Sequence, residues 1–331
     1  MKLCIIGAGA WGTALAIHFA RYFPVFLWER KPEYAVKMQE ERENHRYLKA
    51  IQFPEQLIVT NDLEKALNQS TLILCATPIA ALRETLAKIT QLKQNHLPFL
   101  WACKGFERQT GLLPHQIVSE EWPEHTEHGV LSGPSFAQEV AQGLPCAVSL
   151  ASLNTPWLEN LVQKLNTPIM RLYANNDLIG VEVGGALKNI MAIATGVSDG
   201  LNYGLNARAA LITRGLAEIS RLAQALGGKP STMMGLSGMG DLILTCTGNL
   251  SRNRQVGLML AQGKKLSDVL NDLGHVAEGV PTTYEAKKLS EQYQIDMPIT
   301  HALCDLLDEK VYAKELIEYL MGREPKSEYN K

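Results

Sequence analysis

Residues Lys2-Leu-Cys-Ile-Ile6 followed by Gly7-Ala-Gly-Ala-Trp-Gly12 form the stretch that decides the fold of this chain. The first five residues are mostly apolar and predict a buried strand, and the apolar residues after Gly12 predict a helix. Glycines in the pattern Gly-x-Gly-x-x-Gly separate the two elements. A strand, a glycine turn and a helix in this order predict the start of a Rossmann-type sheet.

Each glycine has its own role in such a turn. Gly7 permits a tight bend, Gly9 admits a diphosphate close to the backbone, and Gly12 lets the helix pack against the strand. The diphosphate then lies on free N–H groups at the start of the helix. The turn is therefore a candidate dinucleotide site, and a flexible glycine turn without a ligand is the alternative.

Short apolar runs alternate with helical stretches through the first half of the chain, which predicts a mostly parallel sheet covered by helices. After about Tyr173 the apolar residues recur at helical spacing, and we expect no further strand. We predict an α/β fold with a Rossmann-type doubly wound sheet in residues 1–175 and an all-α domain in residues 176–331. The strands predicted after the first are Val25–Trp28, Leu57–Thr60, Leu72–Cys75, Phe99–Cys103, Val130–Ser132 and Ala147–Leu150.

Composition excludes several classes of function. Lys and Arg number 32 against 34 Asp and Glu, so the surface offers no strong field for nucleic acid or an anionic membrane. Beyond the glycine-interrupted N-terminus, no window is expected to approach the roughly 18 apolar residues of a membrane span. The six cysteines are widely separated and lack metal-ligand spacing. We therefore expect reduced thiols, no metal site and a cytoplasmic location.

Charged residues follow the second predicted strand, where a Rossmann-type sheet contacts the adenosine ribose. Glu29 could accept a hydrogen bond from a ribose 2′-hydroxyl and favour NAD, whereas Arg30 and Lys31 could neutralise a 2′-phosphate and favour NADP. We expect NADPH to be preferred and NADH to be tolerated. A solvated strand end is the alternative for any one of these side chains.

Two further predicted strands end in candidate ligand contacts. Lys104 places a cation at the carboxyl end of a parallel strand, where ligands bind in open α/β sheets. Ser135 and Gln138 could form a capping box at a helix start. The sharp turn at Gly133 and Pro134 could instead direct the backbone around Ser135 toward a ligand, and both interpretations stay open.

Lys188 interrupts an otherwise apolar helix, and a buried cation needs a partner. Gly184 and Gly185 precede it on the same helix face, so the sequence predicts an unobstructed approach to a ligand. Asp241, which ends a glycine-rich turn, could orient the lysine and keep it charged. A lysine that extends to solvent at a domain edge is the alternative.

A third candidate site begins at Ser251, which is a plausible N-cap. Backbone N–H groups, Arg252 and Asn253 would converge there on a phosphate. A solvated basic turn is the alternative.

Motifs along nearly the whole chain carry a family resemblance. They are Gly7–Ala14, Lys104-Gly105, Ser132-Gly-Pro-Ser-Phe-Ala137, Ala186-Leu-Lys-Asn189, Gly240-Asp-Leu242, Ser251-Arg-Asn253 and Val276-Ala-Glu-Gly279. In this order they resemble the bacterial NAD(P)-dependent sn-glycerol-3-phosphate dehydrogenases. The resemblance implies reversible reduction of dihydroxyacetone phosphate, a phosphorylated triose, for phospholipid synthesis, and a homodimer.

Site roles follow from the resemblance. It implies that Lys188 donates and accepts the proton, with Asp241 beside it and Lys104 holding the substrate. Implied substrate contacts are Lys104, Gly133, Ser135, Lys188, Asp241, Ser251, Arg252 and Asn253. Beside the turn glycines Gly7, Gly9 and Gly12, implied cofactor contacts are Ala10, Trp11, Arg30, Lys104, Ala137, Arg252, Val276 and Glu278.

Two other functions stay open at this point. A Rossmann-type dehydrogenase of a hydroxy acid, such as the ketopantoate or hydroxyisobutyrate type, also relies on an active-site lysine. A non-catalytic sensor could bind NAD(P) and regulate a partner, although the retained Lys188, Asp241 and Lys104 speak against it.

Overall fold

The computed structural model describes residues 1–274 and 277–324. Its N-terminal part contains an eight-stranded sheet and a two-stranded hairpin. The strands are β1 (Leu3–Ile6), β2 (Val25–Trp28), β3 (Glu43–Asn44), β4 (Leu48–Gln52), β5 (Leu57–Thr60), β6 (Leu72–Cys75), β7 (Phe99–Trp101), β8 (His128–Ser132), β9 (Cys146–Ala151) and β10 (Met170–Asn175).

Sheet order is β10-β9-β8-β7-β6-β1-β2-β5, and the antiparallel pair in it is β8–β9. Strand β1 lies between β2 and β6, with Leu3 opposite both Val25 and Leu72. Because the chain leaves β1 in one direction and later returns to its other side, the carboxyl ends of these strands flank a crevice where ligands bind in such sheets. The predicted fold class is confirmed.

Sequence periodicity missed β10 and the β3–β4 hairpin. Strand β10 forms one edge of the sheet, and exposed Arg171 and Tyr173 alternate with buried Met170 and Leu172. The sequence of β10 is short and half polar, so it does not by itself predict a strand. The strand forms because its backbone pairs with that of β9.

Helices cover both faces of the sheet and form the second half. They are α1 (Ala10–Phe19), α2 (Pro32–Glu41), α3 (Leu63–Asn68), α4 (Leu82–Gln91), α5 (Pro114–Glu121), α6 (Ala137–Gln142), α7 (Thr155–Leu165), α8 (Leu178–Gly200), α9 (Gly204–Ala225), α10 (Pro230–Met233), α11 (Asp241–Thr247), α12 (Arg252–Ala261), α13 (Leu266–Leu273), α14 (Gly279–Gln292), α15 (Pro298–Leu307) and α16 (Ala313–Met321). A 3₁₀ turn occupies Ile79–Ala81, and a π-helical turn occupies Leu236–Gly240.

Helix α8 is the central element of the helical half. By length and composition it could span a membrane, so the expectation that no later window approaches this limit is wrong. However, 94% of its most apolar window is buried inside the protein, which is the behaviour of a core helix. Helix α12 lies so close to it that a Cβ on Gly257 would be 2.0 Å from the carbonyl oxygen of Ile193. This contact brings the start of α12 beside the middle of α8.

The change from sheet to helices occurs over two residues. Strand β10 ends at Asn175, and α8 begins at Leu178 with the Asp177 carboxylate accepting a hydrogen bond from the Gly180 N–H at 3.0 Å. We propose the division of the chain between residues 175 and 176.

Candidate active site

The glycine turn after β1 has the geometry that a diphosphate needs. Gly7 has a φ of +105°, which glycine adopts at little cost. A Cβ on Gly12 would lie 1.9 Å from the Gly7 carbonyl oxygen, so α1 can begin this close to β1 only with glycine at that position. Among the described atoms, none lies within 4 Å of a Cβ built on Gly9. The first N–H groups of α1 therefore border open space, and the residues present fit a bound dinucleotide.

Three charged side chains from separate elements meet near this turn. Asp241 is 1% exposed, and its two carboxylate oxygens accept hydrogen bonds from Lys188 Nζ at 2.5 Å and from Lys104 Nζ at 2.8 Å. Lys188 comes from the middle of α8, Lys104 follows β7, and Asp241 begins α11. The predicted contact between Lys188 and Asp241 is confirmed, and Lys188 does not extend to solvent.

The pKa values of Lys188 and Asp241 both lie below their usual ranges, but for different reasons. Burial lowers the pKa of Lys188 to about 8; Asp241 opposes this change and Lys104 adds to it. Burial acts to raise the pKa of Asp241, but the charges of Lys104 and Lys188 outweigh it and hold that pKa below its usual range. The aspartate is therefore ionised at neutral pH, while the Lys188 ammonium can lose its proton near pH 8.

Gly184 and Gly185 of α8 allow close packing of neighbouring segments and do not border open space. A Cβ on Gly184 would lie 2.5 Å from the Ser237 carbonyl oxygen in the π-helical turn. A Cβ on Gly185 would lie 2.8 Å from Ser132 Oγ and 3.7 Å from Lys104 Cδ. Neighbouring chain fills the space beside these glycines, and the open approach to Lys188 comes instead from the cavity on whose wall it lies. Their absence of side chains lets Lys104 and the turn before Asp241 come close to Lys188.

A cavity of about 450 Å³ opens in front of the lysines. Its wall joins the start of α1, the end of β7, the turn before α6, the middle of α8 and the start of α12. Of the predicted site residues, those on its wall are Ala10, Trp11, Lys104, Ser135, Ala137, Lys188, Ser251, Arg252, Asn253 and Glu278.

Other predicted residues lie around this cavity or apart from it. Asp241 lies behind the lysines that it binds. Gly133 packs on β9, since a Cβ there would be 2.9 Å from Val148 Cα. Arg30 borders a second cavity beyond β2. Val276 lies outside the described residues.

Ser135 does not cap a helix. Helix α6 begins at Ala137 with Phe136 as its N-cap, and the Ser135 hydroxyl donates to the Gly133 carbonyl at 3.0 Å. The capping-box prediction with Gln138 is wrong, because the helix starts two residues after the serine. Ser135 instead faces the cavity, so the ligand interpretation is the one that its position favours.

The start of α12 combines a capped helix end with a cation. Ser251 Oγ accepts a hydrogen bond from the Arg254 N–H at 3.3 Å, which confirms the predicted N-cap. Asn253 Oδ1 accepts from the Gly279 N–H at 3.0 Å and so joins α12 to α14. Arg254 pairs with Asp199, whereas Arg252 borders the cavity. A helix start with an adjacent arginine suits a phosphate.

Sequence reasoning missed several residues on the cavity wall. Asn189 follows Lys188 directly, and Thr245 lies one helical turn after Asp241, with its hydroxyl donating to the Asp241 carbonyl at 2.6 Å. The i, i+4 spacing from the aspartate could have identified the threonine. Arg46 and Tyr47 come from the β3–β4 hairpin, for which the sequence contained no recognised signal.

Comparisons with known proteins agree over the whole chain. The family model for the N-terminus of NAD-dependent glycerol-3-phosphate dehydrogenase matches residues 2–157, and the model for its C-terminus matches residues 177–318. A glycerol-3-phosphate dehydrogenase (NAD(P)+) of Neisseria meningitidis is 57% identical over 329 residues, which cover 99% of this chain and 100% of the relative. One from Aromatoleum aromaticum is 52% identical with the same coverage. The crystal structure of glycerol-3-phosphate dehydrogenase from Coxiella burnetii has a TM-score of 0.93 and 42% identity, covering 97% of this chain and 99% of the other.

Proposed function

This chain belongs to the NAD-dependent glycerol-3-phosphate dehydrogenase family, and on that premise we propose that it interconverts dihydroxyacetone phosphate and sn-glycerol 3-phosphate. It is an NAD(P)-dependent oxidoreductase whose substrate is a small phosphorylated molecule. Of the functions open at the sequence level, the comparisons favour this one over a hydroxy-acid dehydrogenase or a sensor. We further propose that the product feeds phospholipid synthesis.

The observation that carries the mechanism is the pair of lysines on one buried aspartate at the cavity wall. When bound, the reduced nicotinamide cofactor would supply the hydride. As the substrate carbonyl is reduced, its oxygen gains negative charge, which the Lys188 ammonium stabilises and then protonates. In the reverse direction, neutral Lys188 accepts the hydroxyl proton. Its pKa of about 8 keeps both protonation states accessible near neutral pH.

Asp241 acts through the lysines. Its carboxylate fixes both ammonium groups and, by its charge, favours the protonated form of Lys188. Lys104 is thereby held beside Lys188, where it can contact the substrate. We propose Lys188 and Lys104 as the catalytic cations and Asp241 as the group that positions them.

The substrate phosphate is proposed to lie at the start of α12. Arg252 offers planar N–H donors, and the helix start offers backbone N–H groups, next to the wall residues Ser251 and Asn253. Ser135 and the backbone at Gly133 would complete the substrate contacts. The nucleotide would contact the turn at Gly7, Gly9 and Gly12, and also Ala10, Trp11, Arg30, Lys104, Ala137, Arg252 and Glu278.

A substrate comparison tests the proposal. Oxidation of NADPH and NADH would be followed with dihydroxyacetone phosphate and with 2-keto acids such as ketopantoate. We expect turnover with the phosphate ester and little with the keto acids. Faster turnover with a keto acid would support the hydroxy-acid reading, and nucleotide binding without turnover on either class would support a sensor.

Location and assembly are also proposals. We propose a cytoplasmic enzyme, on the basis of its reduced cysteines. We propose a homodimer because α9 exposes apolar side chains such as Leu205, which is 72% exposed. Light scattering on the purified protein distinguishes the dimer from a monomer.

A further inference from the structure

A second cavity of about 270 Å³ lies at the carboxyl end of β2. The loop after β2, helix α2 and the β3–β4 hairpin form its wall. Arg46 and Tyr47 of the hairpin border both this cavity and the main one. The second cavity is thus adjacent to the proposed nucleotide site, on the side where Rossmann-type sheets contact the adenosine ribose.

Cations slightly outnumber carboxylates on the wall of this cavity, with Arg30, Lys31, Lys37 and Arg46 against Glu29, Glu41 and Glu43. Arg30, Lys31 and Arg46 are exposed, and within the described chain no carboxylate oxygen lies within 4 Å of their charged groups. The neighbouring acids are engaged differently, since Glu41 and Glu43 pair with His45 at 3.0 and 2.8 Å. An anion in the cavity would therefore meet three positive charges that no carboxylate of the described residues contacts directly, although Arg30 also acts at longer range on Glu84.

Glu29 is the carboxylate that would favour NAD, but it is already used in part. Its Oε1 accepts a hydrogen bond from the Lys31 N–H at 3.0 Å. This bond turns the side chain back onto the loop that follows β2. One acceptor position of the carboxylate expected to bind a ribose 2′-hydroxyl is therefore already occupied.

Aromatic rings hold Arg46 in place. Its guanidinium carbon lies 5.4 Å from the centroid of the Tyr34 ring and 5.0 Å from that of Tyr47. Lys31 Nζ lies 5.3 Å from the same Tyr34 ring. Cation–π contact orients a guanidinium without using its N–H donors, so these donors stay available for a phosphate.

Resting on the proposed function and its expected use of NADPH, we propose that Arg46, from the β3–β4 hairpin, is a residue that determines specificity for NADPH by binding its ribose 2′-phosphate in this second cavity. A phosphate monoester carries up to two negative charges and accepts paired hydrogen bonds. The guanidinium of Arg46, oriented by the two tyrosine rings, can donate such a pair. NADH has a neutral hydroxyl at that position and would leave the three cations unpaired.

Direct binding measurements test the proposal independently of catalysis. Isothermal titration calorimetry would compare 2′,5′-ADP with 5′-AMP, and NADP+ with NAD+, on the wild-type protein and on Arg46→Ala. We expect the variant to bind 2′,5′-ADP and NADP+ about tenfold or more weakly, because a charge-assisted hydrogen-bond pair is lost. Binding of 5′-AMP and NAD+ should change less than about twofold.

Arg171→Ala is the matched control. Arg171 also lies over a tyrosine ring, with its guanidinium carbon 5.3 Å from the Tyr173 centroid, but on the opposite sheet edge. This variant should bind every nucleotide as the wild type does. With dihydroxyacetone phosphate as substrate, the ratio of kcat/KM for NADPH to that for NADH should fall about tenfold only in Arg46→Ala.

Three results would overturn the proposal. They are equal losses for 2′,5′-ADP and 5′-AMP, unchanged binding in Arg46→Ala, and a wild-type protein that binds both probes equally. If no turnover with dihydroxyacetone phosphate occurs while the nucleotide selectivity follows the prediction, the proposed reaction fails and the 2′-phosphate site stands.

Discussion

Two buried acids in the helical half, Asp241 beside the cavity and Glu218 on α9, have equal burial and opposite pKa shifts. Each is 1% exposed. The pKa of Asp241 lies below its usual range, whereas burial raises the pKa of Glu218 to about 7. Glu218 accepts hydrogen bonds from the Ile299 N–H at 2.6 Å, and from the N–H and hydroxyl of Thr300 at 3.2 and 3.0 Å, where α15 begins.

The difference shows that hydrogen-bonded cations keep a buried carboxylate ionised more effectively than backbone N–H groups and a hydroxyl do. Two ammonium groups within hydrogen-bond distance outweigh the cost of burying the Asp241 carboxylate. Backbone N–H groups, a hydroxyl and the charge of Arg221 lower that cost for Glu218 without removing it, because no cation among the described residues forms a hydrogen bond with this carboxylate. Asp241 can therefore hold charged lysines at neutral pH, while Glu218 gains and loses its proton close to neutrality.

Removal of Lys188 should have the largest effect. In Lys188→Ala, Asp241 keeps one cation, but the proton donor of the proposed reaction is absent. We expect turnover of dihydroxyacetone phosphate to fall about 10²- to 10⁴-fold with nucleotide binding nearly intact. Steady-state kinetics and a nucleotide titration measure the two properties.

A matched control for this change is Lys288→Ala. Lys288 pairs at 2.9 Å with Glu285, whose side chain is 6% exposed, so this variant also removes a lysine from a buried acid. Its turnover should equal that of the wild type. Near-normal turnover in Lys188→Ala would remove Lys188 from the proposed role.

Glu218→Gln should change how stability depends on pH. A carboxyl whose pKa is raised on folding binds its proton more tightly in the folded state, so the wild type loses stability as pH rises from about 4.5 to about 7. Between pH 5 and 7 this loss is about 2 kcal/mol, and with glutamine at the position it should disappear. Urea unfolding of both proteins across this range measures the difference. Parallel stability curves would show that Glu218 does not titrate as stated.

The last prediction concerns the pH dependence of the wild-type kinetics. Reduction needs charged Lys188, so kcat/KM should fall about tenfold per pH unit above about pH 8, and oxidation should fall likewise below that pH. Glu218→Gln should keep this limb unchanged, because its carboxyl lies outside the proposed reaction. A reduction rate that stays flat to pH 10 would contradict the assignment of the limb to Lys188.

Local patterns in the sequence determined much of this protein. The glycine turn and the bounds of β2, β5 and β6 follow from short apolar runs and from the residues that interrupt them. These signals extend over only a few residues. The same holds for the N-cap at Ser251 and for Lys188 in an apolar helix, because a buried cation is unusual wherever it occurs.

Only the tertiary structure decided which side chains meet. Lys104 and Asp241 are 137 residues apart in the chain, and no periodicity relates them. Arg46 borders the cavity through a hairpin that the sequence did not reveal, and Ser135 faces the cavity while its helix begins one residue later than the capping pattern predicts. The pKa values of Asp241 and Glu218 differ because of partners from other elements. Desolvation and charge act through space, so their balance depends on packing that local sequence does not encode.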